Sequence, residues 1–89
     1  MYHVELASRA QRELRRLQPA AKQRIAAALA VLAENPRPPG SLKLKGVIHR
    51  LRVGPYRLIY SISDRDETVI ALKIARREKD TYDRLDDLM

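Results

Sequence analysis

Residues 2–6 alternate between apolar and polar positions and are rich in strand formers, so the chain is expected to open on a short β-strand. From Ser8 the period lengthens. Ala10, Leu14 and Leu17 recur at helical spacing. Ser8-Arg9-Ala10-Gln11 has the form of a capping box, in which the serine hydroxyl takes the third amide and the glutamine reaches back to the cap amide. A first helix of about ten residues follows from this spacing. Pro19 suits the first turn of a second helix, where its missing N–H has no partner to lose. Ala21, Ile25, Ala28, Leu29 and Leu32 form the apolar stripe of that helix. Asn35-Pro36 ends it, because the residue before a proline is pushed out of the α region. Two short helices with a tight link predict an αα-hairpin.

Arg37-Pro38-Pro39-Gly40-Ser41 is a loop by composition, and beyond it the period falls to two. Residues 49–53, 56–63 and 68–75 read as three strands, turned by Gly54-Pro55 and by residues 64–67. Connections this short imply an antiparallel meander. Residues 78–88 place Tyr82, Leu85 and Leu88 on one face of a short polar helix. The expected fold is therefore α+β: an N-terminal strand, an αα-hairpin, then a three-strand antiparallel meander. One sheet results, with the helices on one face and a short C-terminal helix. Eighty-nine residues leave no room for a second core, so residues 1–89 form a single domain.

Strand parity assigns faces. Leu51 and Val53, Leu58, Tyr60 and Ile62, and Ile70, Leu72 and Ile74 are expected to point at the helices, since a sheet needs one covered face. His49 alternates inward with them. Side chains alternate along a strand, so Arg50, Arg52, Arg57, Lys73 and Arg77 fall together on the opposite face.

Charge gives that face a meaning. The net charge is +7 and the isoelectric point about 10.3, a surplus that attracts polyanions. It is also polarised. Between Asn35 and Ser63 there is no acid, yet the span carries Arg37, Lys43, Lys45, Arg50, Arg52 and Arg57. Aspartates gather near the C-terminus instead, and pairing of Arg57 and Arg77 with Asp80 or Asp83 is the plain structural alternative to anion binding. There is no cysteine, hence no disulfide framework and no thiolate site. The N-terminus lacks a signal-peptide layout and no apolar run could span a bilayer. A cytoplasmic protein with no membrane partner is expected.

The residue types narrow the chemistry. Two-metal hydrolysis needs converging carboxylates, which the meander's basic face lacks, and His3 and His49 do not suggest a zinc site; no metal or other cofactor is expected. Ser41, Ser61 and Ser63 have no evident base. Metal-free cleavage of RNA needs no protein nucleophile, because the substrate's 2′-OH can attack the adjacent phosphorus. The protein must then move protons and stabilise a dianionic transition state. Arginine forks suit the second task. Tyr82 is a candidate for proton transfer, although pattern alone favours a helix anchor packed on the sheet, and Arg37 is expected to be a peripheral cation.

The order of elements and several stretches resemble the RelE/ParE toxin superfamily. The stretches are Ala-Glu-Asn-Pro at 33–36, Leu-Lys-Gly at 44–46, Arg-Leu-Arg-Val-Gly-Pro-Tyr-Arg-Leu-Ile-Tyr at 50–60, and Ile-Ala-Arg-Arg-Glu-Lys at 74–79 with Tyr82 beyond. The resemblance covers essentially the whole chain. It implies the toxin of a type II toxin–antitoxin system, an endoribonuclease of the RelE-like branch that cleaves messenger RNA in the ribosomal A site. It also implies a cognate antitoxin as partner, with promoter DNA met only through the antitoxin complex. Arg57, Arg77 and Tyr82 match the family's catalytic positions, and Arg50 stands for a family lysine. Ile48 replaces a second lysine, and Tyr82 aligns only across a one-residue gap. Lys43, Lys45, Arg52, Lys73, Arg76 and Lys79 are expected to hold RNA backbone. The alternative on the same fold is a ParE-like inhibitor of DNA gyrase without nuclease activity.

Overall fold

The computed structural model describes residues 1–76, so the expected C-terminal helix, Arg77, Lys79 and Tyr82 lie outside the described residues. The elements run β1 (His3–Leu6), α1 (Ser8–Arg15), α2 (Pro19–Glu34), β2 (Ser41–Lys45), β3 (Ile48–Val53), β4 (Tyr56–Ser63) and β5 (Thr68–Arg76). They form one five-stranded sheet in the order β1-β5-β4-β3-β2, with β1 parallel to β5 and every other pair antiparallel. Between the helices and the sheet lies the core of Ala10, Ile25, Leu32, Leu51, Leu58, Tyr60, Ile62, Val69, Ala71 and Ile74.

Three local features depart from the sequence expectations. The expected meander of three strands has a fourth, β2, where Lys43 and Lys45 sit on a strand rather than in a loop. The period-two run Leu42-Lys43-Leu44-Lys45 carries the signal, weakened because β2 is an edge strand with little to bury and a register shift between Lys43 and Lys45. The capping box does not form either. Ala7 donates its amide to the Ala71 carbonyl (2.9 Å) and so stays with the sheet; Ser8 is already the first helical residue and makes no cap. Gln11 instead donates from Nε2 to the Leu6 carbonyl (2.9 Å).

The third departure concerns β5. Ile59 pairs with Lys73 but Tyr60 pairs with Ala71, so Leu72 is an extra residue in the ladder. Such a bulge reverses parity on one side of itself. Val69 and Ala71 therefore enter the core together with Ile74, whereas Ile70 and Leu72, expected inside, are only half-buried. Downstream of the bulge parity agrees with expectation, and Lys73 lies on the face away from the helices. β1 stops pairing at Leu6 and Ala71, and past that point the Glu13 carboxylate of α1 accepts the Ile74 amide (2.8 Å). Glu13→Ala should cost about 1–3 kcal/mol by leaving that partly buried amide without its acceptor. Urea unfolding measures the loss, and Glu13→Gln, which keeps an acceptor oxygen, should lose less.

The remaining ends behave as read. Pro19 occupies the first turn of α2, and Asn35 ends it in extended conformation ahead of Pro36. The buried Tyr60 hydroxyl donates to the Pro36 carbonyl (2.8 Å), fixing the loop after α2 to the middle of the sheet. Gly54, at the first central position of the β3–β4 turn, has φ +59°, the left-handed region such hairpin turns require.

Candidate nucleic-acid interface

Strand register builds the site in rows across the face that the helices leave uncovered. One row runs Arg52–Arg57–Ala75 over β3, β4 and β5, and the next runs Arg50–Ile59–Lys73. Four cations thus surround the buried Ile59, as parity predicts. Arg52 stands directly opposite Arg57, an arrangement of like charges that destabilises a sheet. Arg57 is 8% exposed, so its charge is held where water screens it poorly, with Ala75 as its register partner on β5. Arg50 donates from Nη1 to the Gly40 carbonyl (3.0 Å), which spends one of its five N–H donors and neutralises none of its charge. A neutral anchor of this kind aims the guanidinium while leaving it free to attract an anion.

The other expected RNA contacts divide between the two faces. Lys45 pairs with Ile48 and so borders the four-cation face at the β2 edge. Lys43 pairs with the inward-pointing His49 and belongs to the opposite side. Arg76 pairs with Tyr56 and lies over its ring, 5.6 Å from the centroid, on the helix side rather than beside Arg57. Arg77, Tyr82 and Lys79, with the proposed ion-pair partners Asp80 and Asp83, are beyond the described residues.

Two features of the surroundings were not legible beforehand. Glu5, opposite Ile70, shares the face with the cations, one row beyond Lys73 and on the outermost strand. Among the described residues no three His, Cys, Asp or Glu side chains gather as a metal-binding group. Arg37, expected to be peripheral, forks onto Asp64 (Nη1–Oδ1 3.2 Å, Nη2–Oδ2 2.9 Å), whose Oδ1 also accepts the Tyr2 hydroxyl (2.6 Å). The hydrogen bonds from Arg37, and then that from Tyr2, hold the Asp64 carboxyl below its ordinary range, and the same carboxylate pushes the Tyr2 phenol up. A carboxylate lowered on folding adds stability above its unfolded pKa, and that stability is lost as pH falls through the folded value. Acid unfolding curves of wild type and Asp64→Asn should therefore differ at neutral pH and converge in acid.

The buried His49 ring stacks on Tyr60, with centroids 5.8 Å apart, and lies on the helix side of β3 as its parity predicts. Burial pushes the Tyr60 phenol up, so this tyrosine stays protonated and acts as a hydrogen-bond donor to the loop. No described helix is long and apolar enough to cross a membrane.

Known proteins share this architecture. Residues 4–81 match the family described as the ParE toxin of type II toxin–antitoxin system, parDE. No curated protein matches the sequence. Among solved structures, the archaeal RelE–RelB complex from Pyrococcus horikoshii superposes with a TM-score of 0.81 at 28% identity, covering 88% of this chain and 97% of that one. The RelBE2 toxin–antitoxin complex of Mycobacterium tuberculosis gives 0.76 at 28% identity, over 85% and 98% of the respective chains. The isolated E. coli RelE toxin gives 0.76 at 19% identity over the full length of both chains, a likeness of fold. The family match spans nearly the whole chain and the fold is that of the RelE toxins: this protein belongs to the ParE toxin family of type II toxin–antitoxin systems, in the RelE-like branch of the RelE/ParE superfamily.

Proposed function

We propose that this toxin is a ribosome-dependent, metal-independent endoribonuclease that cleaves messenger RNA in the A site and so stops translation. The observation that carries this reading is Arg57, a nearly buried cation set between Arg52 and Ala75 with Arg50 and Lys73 in the next row. Four positive charges gathered on one face create a field that attracts polyanions. The anion that suits mostly arginine forks is a phosphate.

In the proposed reaction the 2′-oxygen of the substrate attacks the adjacent phosphorus, the bond to the 5′-oxygen breaks, and a 2′,3′-cyclic phosphate and a 5′-hydroxyl result. Arg57 stabilises the charge that develops on the non-bridging oxygens. Arg50, steered by Gly40, supports it from the neighbouring row, and Arg52, Lys73 and Lys45 hold the flanking backbone. Arg77 and Tyr82 carry the remaining charge stabilisation and proton transfer, a role that rests on their match to the family's positions. Lys43, Arg76 and Lys79 then bind RNA outside the reacting phosphate. The reading needs no cofactor.

The partner that silences the toxin is a cognate antitoxin. Two of the similar structures at 28% identity are complexes with a RelB or equivalent antitoxin. An acidic antitoxin segment would complement the cationic face and compete with RNA for it. The protein acts in the cytoplasm and meets promoter DNA only through that complex.

A second reading is favoured by the family match itself, whose description is of a ParE toxin. Under it the chain inhibits DNA gyrase and cuts nothing. Two assays on one preparation separate them: message cleavage on programmed ribosomes, and gyrase supercoiling. Cleavage without gyrase inhibition is expected; gyrase inhibition with intact message would establish the ParE-like activity instead.

A further inference from the structure

A second basic site lies at the other end of the sheet. A recess of about 360 Å³ opens between the Gly46-Val47 turn, the turn that follows β4, and Arg37. Lys43, His49, Asp64 and Arg65 contribute its polar lining. Arg37 is engaged by Asp64, but Lys43 and Arg65 make no ion pair with a described residue.

His49 is the informative member. It is 6% exposed, and its Nδ1 lies 3.0 Å from the Val47 carbonyl oxygen. A carbonyl oxygen only accepts, so Nδ1 carries the hydrogen. Nε2 makes no hydrogen bond to a described residue. Its ring lines the recess beside Lys43 and Arg65, and two cations that no described carboxylate pairs with, converging on one recess, attract an anion. The recess is distinct from the four-cation face, because His49 and Lys43 point to the opposite side of the sheet from Arg50 and Arg57. The two surfaces are nonetheless continuous. Edge strand β2 presents Lys43 to the recess and Lys45 to the cationic face, so positive charge runs round the exposed edge.

We propose that this recess is a second phosphate-binding site, formed by Lys43 and Arg65 beside the His49 ring, which takes a backbone phosphate of RNA lying across the cationic face and round the β2 edge. The assignment rests on the RNA-binding reading above. The groups facing the His49 ring are Lys43 from β2, Arg37 from the loop after α2, Asp64 and Arg65 from the turn after β4, and the Tyr60 ring.

The test is binding of the full chain to a fully 2′-O-methylated, hence uncleavable, RNA oligonucleotide across a range of salt. The double variant Lys43→Ala/Arg65→Ala should weaken affinity about tenfold and reduce the salt slope by about 0.7–1.4, the loss of one to two single-strand phosphate contacts. The comparison variant is Arg52→Ala/Lys73→Ala on the cationic face. If it weakens binding while the recess variant does not, the recess proposal is overturned and the RNA reading stands. If neither variant weakens binding, both fall. Inorganic phosphate that shifts the His49 ring resonances without any recess contribution to RNA affinity overturns the backbone assignment in favour of a free-phosphate site. Lost affinity for an acidic antitoxin segment, with RNA affinity unchanged, overturns it in favour of a protein ligand.

Discussion

Arg57→Ala is expected to lower message cleavage about 100-fold or more, the usual cost of removing a group that stabilises transition-state charge directly. The fold should survive, because the substitution also removes the repulsion between Arg57 and Arg52 across the β3–β4 ladder. Arg57→Lys should fall between the two, keeping the charge and losing the two-pronged geometry. Single-turnover cleavage by protein shown to be folded is the measurement. Rates within a few-fold of wild type for Arg57→Ala would place the reacting phosphate elsewhere on the molecule.

The neighbouring residue should fail in the opposite way. Leu58 is fully buried, pairs with Ile74 and sits in the core against the helices. Leu58→Ala removes methyl groups from a close-packed interior and leaves a cavity, a change that costs about 2–5 kcal/mol. A domain of this size has about 5–15 kcal/mol in total, so the variant should unfold at markedly lower urea. Cleavage per folded molecule should stay near wild type, since the lost side chain is on the far side of the sheet from Arg57. A loss below about 1 kcal/mol would contradict the assignment of Leu58 to the centre of the core. One step along β4 thus separates chemistry from stability, which is the physical content of strand parity.

That parity is also why much of the site could be read from sequence. In β3 and β4 the alternation is unbroken, so Arg50, Arg52 and Arg57 were assignable to one face, and His49, Leu51, Leu58, Tyr60 and Ile62 to the other. Strand β5 obeyed the rule only beyond its bulge. Leu72 is inserted by pairing with a neighbour strand, and the carboxylate that tends the adjacent edge comes from Glu13, far away in the chain. Nothing local in residues 68–76 announces either fact. The edge strand β2 was obscured for a different reason: it buries too little for its alternation to stand out from a basic loop. Ser8 had the composition of a helix cap, but Ala7 is held by Ala71 across the sheet, and tertiary pairing overrode the local motif. The partnership of Arg37, Asp64 and Tyr2 joins three distant stretches and has no sequence signature.

The most direct test of the central claim is the chemistry of the cut ends. Wild-type protein, incubated with programmed ribosomes and a metal chelator compatible with ribosome integrity, should cleave the message in the A site. The fragments should end in a 2′,3′-cyclic phosphate and begin with a 5′-hydroxyl, the products of attack by the substrate's own 2′-oxygen. Intact message with folded protein, or fragments that begin with a 5′-phosphate, would contradict it.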